Sequence, residues 1–166
     1  MVHFGSPLVV FVFSALSTLA KLNDGQYQIV NEYGGRIRVL TDNGKGVPTT
    51  IESINPNDTR KIWMVESNSE GQYTIRNVES GLYAGYALKS RTELIKSYET
   101  SSSFNITDIP PLSPTAYIYD ASGELVVLPK DYGSNIPNVI LEEPDQPVPE
   151  PEAMWTFVPV ALEPRV

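Results

Sequence analysis

Two short segments place a basic side chain where a fixed loop would display it. One is Asn43-Gly44-Lys45-Gly46-Val47-Pro48, with Lys45 between two glycines. The other is Lys89-Ser90-Arg91. Trypsin-type proteases select Lys or Arg through a buried Asp in their specificity pocket. A substrate-like loop held extended on a rigid body loses little entropy on docking, so it binds tightly and leaves slowly. Gly44, Lys45, Gly46, Lys89 and Arg91 are therefore the candidate protease-binding residues, with Lys45 the single preferred one. The alternative for Lys45 is an ordinary solvated turn lysine. The acidic Pro-rich stretch from Glu142 to Glu152 is a further protruding candidate, stiffened by its prolines.

Other chemistries are poorly supplied. Cysteine is absent and the only histidine is His3, close to the N-terminus. This excludes a disulfide framework, a thiol nucleophile, a Ser-His-Asp triad and zinc sites of the His or Cys type. The 20 Asp and Glu residues lie mostly in turns and near Glu142 to Glu152, with no pair placed as acid and base. Gly34-Gly35 and Gly44-Lys45-Gly46 lack the spacing of a phosphate-cradling loop. The expectation is a binding protein that is not an enzyme and holds no cofactor and no metal. The net charge of −8 disfavours nucleic acid, because acidic chains repel phosphate backbones. The expected partner is a target protease, with no nucleic acid, no membrane and a monomeric chain.

The elements that position these loops are repeated. Gly25-Gln26-Tyr27-Gln28-Ile29-Val30-Asn31 returns as Gly71-Gln72-Tyr73-Thr74-Ile75-Arg76-Asn77, 46 residues later. A further 44 residues lead to a worn copy, Thr115-Ala116-Tyr117-Ile118-Tyr119-Asp120. Trp63 precedes the second copy, Phe104 the third, and Trp155 closes the series. Three units of about 45 residues are a repeat architecture. Short alternating segments between turns fill each unit, such as Arg36 to Leu40, Thr49 to Ile54 and Lys61 to Val65. Gly34-Gly35 reads as a hairpin turn. No segment carries a long helical period. Twelve strands in three four-stranded units predict an all-β fold, a β-trefoil, in which six strands form a short barrel and three hairpins cap it. Tyr27, Tyr73 and Tyr117, with Trp63, Phe104 and Trp155, are then expected as equivalent core layers.

Length and composition fit one such domain. The chain has 166 residues, 19% charged, with 11 Gly and 14 Pro spread among apolar residues. The domain is expected over 21–166, with 1–20 a signal peptide or disordered extension. Leu8 to Leu16 is apolar but too short to span a membrane, and Ser17-Thr18-Leu19-Ala20 reads as a cleavage site. Asn57-Asp58-Thr59 and Asn105-Ile106-Thr107 are sequons compatible with secretion. An uncleaved extension would instead leave the chain cytoplasmic.

The segment Lys21 to Asn31 resembles the opening of the fungal β-trefoil protease inhibitors related to cospin. The similarity extends to Tyr117, to Gly123-Glu124-Leu125-Val126-Val127, to the Pro-rich stretch from Pro144 to Pro151 and to Met154-Trp155-Thr156-Phe157. It covers about residues 21 to 160. The resemblance implies a serine protease inhibitor acting in fungal defence, trypsin-like enzymes being its expected target. The related mycocypins inhibit cysteine proteases on the same scaffold, which is the first alternative. The second is a carbohydrate-binding lectin. The ricin-type signature, Gln two residues before Trp, is missing, since Lys61 and Ala153 occupy those places. Tyr83, Tyr86 and Tyr132 are the possible sugar platforms.

Overall fold

The computed structural model describes residues 21–55, 57–87, 92–108, 115–133, 135–144 and 151–160. The expected extension at 1–20, Lys89 and Arg91, and most of the Pro-rich acidic stretch lie outside them. Among the described residues there is no α-helix. The only helical turns among the described residues are two single turns of 3-10 helix, at Thr59–Lys61 and Pro151–Ala153. Among the described residues no helix is long and apolar enough to cross a membrane.

Six strands close on themselves. They are β1 (Gly25–Tyr33), β4 (Trp63–Ser67), β5 (Tyr73–Asn77), β9 (Phe104–Asp108), β10 (Thr115–Asp120) and β13 (Met154–Pro159). Antiparallel pairing runs β1 to β4 to β5 to β9 to β10 to β13 and back to β1. Closure leaves the barrel with no free edge. Seven further strands build the cap: β2 (Arg36–Thr41), β3 (Thr50–Ser53), β6 (Tyr83–Gly85), β7 (Thr92–Leu94), β8 (Lys96–Tyr98), β11 (Val126–Lys130) and β12 (Asn138–Glu142). The hairpins β2–β3, β6–β8 and β11–β12 come from the three units. The fold is the expected β-trefoil, with thirteen strands among the described residues where twelve were expected.

The extra strand has a physical cause. Between β7 and β8 the backbone of Ile95 turns to a different partner. The Thr49 amide donates to the Ile95 carbonyl at 2.8 Å, Ile95 to Val139 at 2.9 Å, and Val139 to Thr49 at 3.0 Å. This closed ring of three bonds joins one residue from each unit, all three buried. It satisfies three amides at the centre of the cap, where no ladder reaches them.

The barrel repeats one pattern three times. Trp63 lies opposite Tyr27 and Asn77, Phe104 opposite Tyr73 and Asp120, and Trp155 opposite Ala116 and Asn31. The three aromatic residues are buried, as expected. The indole of Trp63 donates to the Leu40 carbonyl at 3.0 Å and that of Trp155 to Val127 at 2.8 Å. A phenyl ring cannot donate. Phe104 instead meets Tyr86 edge to face at 5.6 Å.

The third repeat corrects the expected tyrosine layer. Tyr27 and Tyr73 are buried and face the core, but their equivalent in β10 is Ala116. Tyr117 points to the other face, its ring against Tyr119 at 6.2 Å. Successive side chains of a strand alternate faces, so a register offset of one residue inverts the assignment. The inward set of β10 is Ala116, Ile118 and Asp120.

Candidate functional site

The basic loop is pinned to the cap. The Asp42 carboxylate is buried and accepts the Gly44 amide at 2.9 Å and the Ser97 hydroxyl. The Gly46 amide donates to the Ser97 carbonyl at 2.8 Å, and Lys45 forms a parallel bridge with Ser97. The Asn43 amide donates to the Pro48 carbonyl at 2.8 Å and to the Thr50 hydroxyl at 3.0 Å. Gly44 and Gly46 sit at φ +95° and +73°, conformations that suit glycine. The loop is thus rigid and folded back on β8. Lys45 projects from it, 65% exposed, with its ammonium 2.7 Å from Glu99. Lys89 and Arg91 lie outside the described residues.

The three tyrosines read as sugar platforms are not alike. Tyr86 is half-buried against Phe104, its hydroxyl donating to Ser103 and accepting from the Ala121 amide. Tyr83 pairs with Tyr98 across β6 and β8. Tyr132, in the turn after β11, is 57% exposed.

A different constellation is brought together beside the β2–β3 hairpin. An open cleft of about 450 Å³ runs between this hairpin and the segment leading into β12. Arg36 and Arg38 lie two residues apart on β2, so they share one face of the strand. Ser53, opposite Arg38, ends β3, and Ile54 and Asn55 follow it. Asn135 and Ile136 form the far wall, with the Asn135 carbonyl 3.5 Å from the Arg38 guanidinium. The Ile51 amide donates to the Pro137 carbonyl at 3.1 Å, which holds the two walls together. Ile54 and Ile136 are 51% and 47% exposed.

The cleft is wired from below. Lys61 is buried, and its ammonium donates to the Ser53 carbonyl at 3.1 Å and pairs with Asp58 at 3.1 Å and Glu52 at 3.3 Å. A buried ammonium surrounded in this way is compensated, which is what makes it tolerable. Arg60 donates to Asp58 from Nε at 3.0 Å and from one terminal nitrogen at 2.7 Å. The hydrogen bond from Arg60 is the main reason the Asp58 carboxyl is held down to about 2, with Lys61 adding to it. Glu52 is shared between Lys61 and Arg60, the latter at 3.8 Å. Among the described residues, no carboxylate pairs with Arg36 or Arg38. No group of described His, Cys, Asp or Glu residues is placed to hold a metal ion.

No glycine-flanked or repeated motif marks these residues in the sequence. One signal was available. Arg36-Ile37-Arg38 puts two of only 12 Lys and Arg residues on one face of a strand, in a chain of net charge −8.

The chain matches no protein-family model and no curated protein. Several solved structures share its shape. The Rhizoctonia solani agglutinin aligns with TM-score 0.69 and 20% identity over 84% of this chain and 97% of its own. The Macrolepiota procera ricin B-like lectin, determined in complex with lactose, gives 0.68 and 16% over 84% and 99%. ThreeFoil, a designed 3-fold symmetric protein, gives 0.69 and 16% over 82% and 100%. At such identities the likeness is one of architecture, and it agrees with the closed barrel and the three-bond ring: the chain is a β-trefoil.

Proposed function

We propose that this protein binds carbohydrate, in the cleft beside the β2–β3 hairpin. The observation that carries the reading is the cleft's mixture of side chains. Asn55, Asn135, Arg36 and Arg38 present planar donor and acceptor groups, suited to adjacent sugar hydroxyls. Ile54 and Ile136 offer exposed apolar surface beside them, suited to the C–H face of a pyranose. The shared architecture with two fungal lectins supports the class of function without assigning a ligand. The test is a glycan array probed with the full chain, followed by calorimetry. Binding to at least one glycan is expected, and Asn55→Ala with Asn135→Ala should abolish it while the melting temperature holds. An array without binding would remove the reading.

A second reading is serine protease inhibition through Lys45, the function implied by the resemblance to cospin-related inhibitors. The observation in its favour is a rigid loop with an exposed lysine. Against it stands the pairing of that ammonium with Glu99, which a protease pocket would have to replace. A panel of trypsin, chymotrypsin, subtilisin and papain separates the serine and cysteine protease versions from the carbohydrate reading. Loss of trypsin inhibition by roughly thirtyfold in Lys45→Ala would establish the anchor.

A further inference from the structure

We infer that the cleft selects saccharides that carry a carboxylate, with Arg36 and Arg38 as the residues that bind it. The inference rests on the carbohydrate reading and adds the charge of the ligand.

The argument is one of local electroneutrality. The chain as a whole is acidic, at −8. Around the cleft the negative charges are already committed. Asp58 bonds Arg60 and Lys61, and Glu52 faces the same two cations. That leaves Arg36 and Arg38 without a carboxylate partner among the described residues. Arg38 makes one long contact, 3.5 Å to the Asn135 carbonyl, and Arg36 makes none. Arg36 is exposed and Arg38 half-buried, so the pair forms one rim of the cleft and the inner guanidinium reaches its wall. Two residues along a strand separate the side chains by about 7 Å. One guanidinium can therefore bind a carboxylate bidentately while the other reaches a neighbouring hydroxyl or the second oxygen. The lining carries three cations, Arg36, Arg38 and Lys61, against one carboxylate, Glu52, and a concave surface with a net positive charge concentrates anionic ligands.

A neutral sugar would leave both guanidiniums uncompensated within the cleft. A carboxylated one would supply the missing charge, and the apolar flanks and amides would hold its ring. Uronic acids and sialic acids both present such a group, so matched pairs of ligands distinguish the two sources.

The full chain is titrated calorimetrically with tetragalacturonate and its methyl ester, and with sialyllactose and lactose. The expected result is at least tenfold tighter binding of the acidic member of one or both pairs, weakening with added salt. Arg36→Gln combined with Arg38→Gln should bring that ligand down to the affinity of its neutral partner. Arg76→Gln, on β5 and outside the cleft, should leave it unchanged. Equal affinity within both pairs overturns the selection of acid and leaves the carbohydrate reading standing. Acid preference that survives the double substitution overturns the site. Tetraglutamate binding as tightly as the acidic sugar overturns the restriction to saccharides. A chain that binds no glycan on the array overturns both the reading and the inference.

Discussion

Asn31 and Asn77 make the same pair of hydrogen bonds in two different thirds of the molecule. The Asn31 amide donates to the carbonyls of Glu152 and Met154, at 2.8 and 2.9 Å. The Asn77 amide donates to those of Arg60 and Ile62, at 2.9 and 3.2 Å. In each case the two carbonyls belong to the residues three and one before a buried tryptophan. Each asparagine therefore ties one unit's first strand to the entry of a neighbouring aromatic strand.

Their other halves differ. The Asn77 carbonyl accepts the amides of Glu79 and Ser80, at 3.0 and 3.1 Å, closing the turn that follows. Strand β1 runs on past Asn31 in its ladder with β2, and the Asn31 side-chain oxygen is buried without a partner. Asn77→Ala should thus cost more than Asn31→Ala, about 3 kcal/mol or more against about 2. Urea denaturation of both variants measures the order, and the reverse order would contradict it.

The third unit has Asp120 at this place, and a carboxylate cannot donate. Its oxygens accept the amides of Ser122, Glu124 and Leu125 and the Ser122 hydroxyl. The Tyr86 hydroxyl supplies the missing donor, reaching the Ser103 carbonyl at 3.1 Å and accepting the Ala121 amide at 3.0 Å. Tyr86→Phe should cost about 1–3 kcal/mol. In an Asp120→Asn background the cost should shrink, because an asparagine amide can reach Ser103 as its counterparts reach Met154 and Ile62. A double-mutant cycle reads this coupling, and simple additivity would refute it.

Acid should destabilise the protein through two carboxylates. Burial alone would raise the Asp120 carboxyl, but the Ser122 hydroxyl and three backbone amides outweigh it and bring it down to about 2. Asp58 is also held to about 2, chiefly by Arg60. Below their ordinary value of 3.8 the unfolded chain takes up protons first. Their contribution is complete above that value and is lost as pH falls through 2. Melting temperatures between pH 5 and pH 2 should fall, and Asp120→Asn should flatten the decline.

The basic loop offers a contrast between neighbours. The Lys45–Glu99 pair is 65% and 69% exposed, so Lys45→Ala should change stability by less than about 0.5 kcal/mol. Asp42 is buried and bonds both the loop and Ser97. Asp42→Ala should cost about 2 kcal/mol or more, by stranding the Gly44 amide and the Ser97 hydroxyl. Equal effects of the two substitutions on thermal unfolding would be inconsistent with this structure.

The two sequons should also respond differently. The Asn105 amide donates to the carbonyls of Asp120 and Ala121, at 3.3 and 3.1 Å. Asn57 is exposed, and its backbone amide donates to the Asn55 side-chain oxygen at 3.2 Å. Asn105→Gln should cost about 1–2 kcal/mol and Asn57→Gln less than 0.5, measured by denaturation midpoints.

The architecture was legible because each third repeats Gly-Gln-Tyr or an equivalent at nearly constant spacing, and Trp63, Phe104 and Trp155 keep the inward face. Register was legible only where the copies are faithful. Tyr117 attracts the eye, yet the residue equivalent to Tyr27 and Tyr73 is Ala116, because aromatic type was weighed above alternation. Ile37 and Val39 share one face of β2 by alternation, yet Ile37 is 59% exposed while Val39 is fully buried. There the β1–β2 hairpin extends past the barrel, and a strand outside a core has no buried side for its pattern to report. The cleft was not legible, since Arg36 and Asn135 are about a hundred residues apart and only the cap brings them together.

The closing of the barrel bears on how the chain is made. Strand β13 pairs with β1 along Tyr27 to Asn31 and with β10 at Thr115 to Tyr117, and it carries Trp155. A chain emerging from the ribosome must hold β1 unpaired on that side until β13 has been synthesised. Contacts of such sequence separation form late and slowly. The exposed edge of β1 is then open to pairing with another nascent chain, and overexpression would select for swapped dimers before aggregation. The same adjacency of first and last strands makes the protein a candidate for circular permutation. The ends of the body could be joined through Gln26 and Val160, which already share a backbone bond of 2.9 Å. New ends could be opened at the turn of residues 68–71, the corresponding junction one third of the way along.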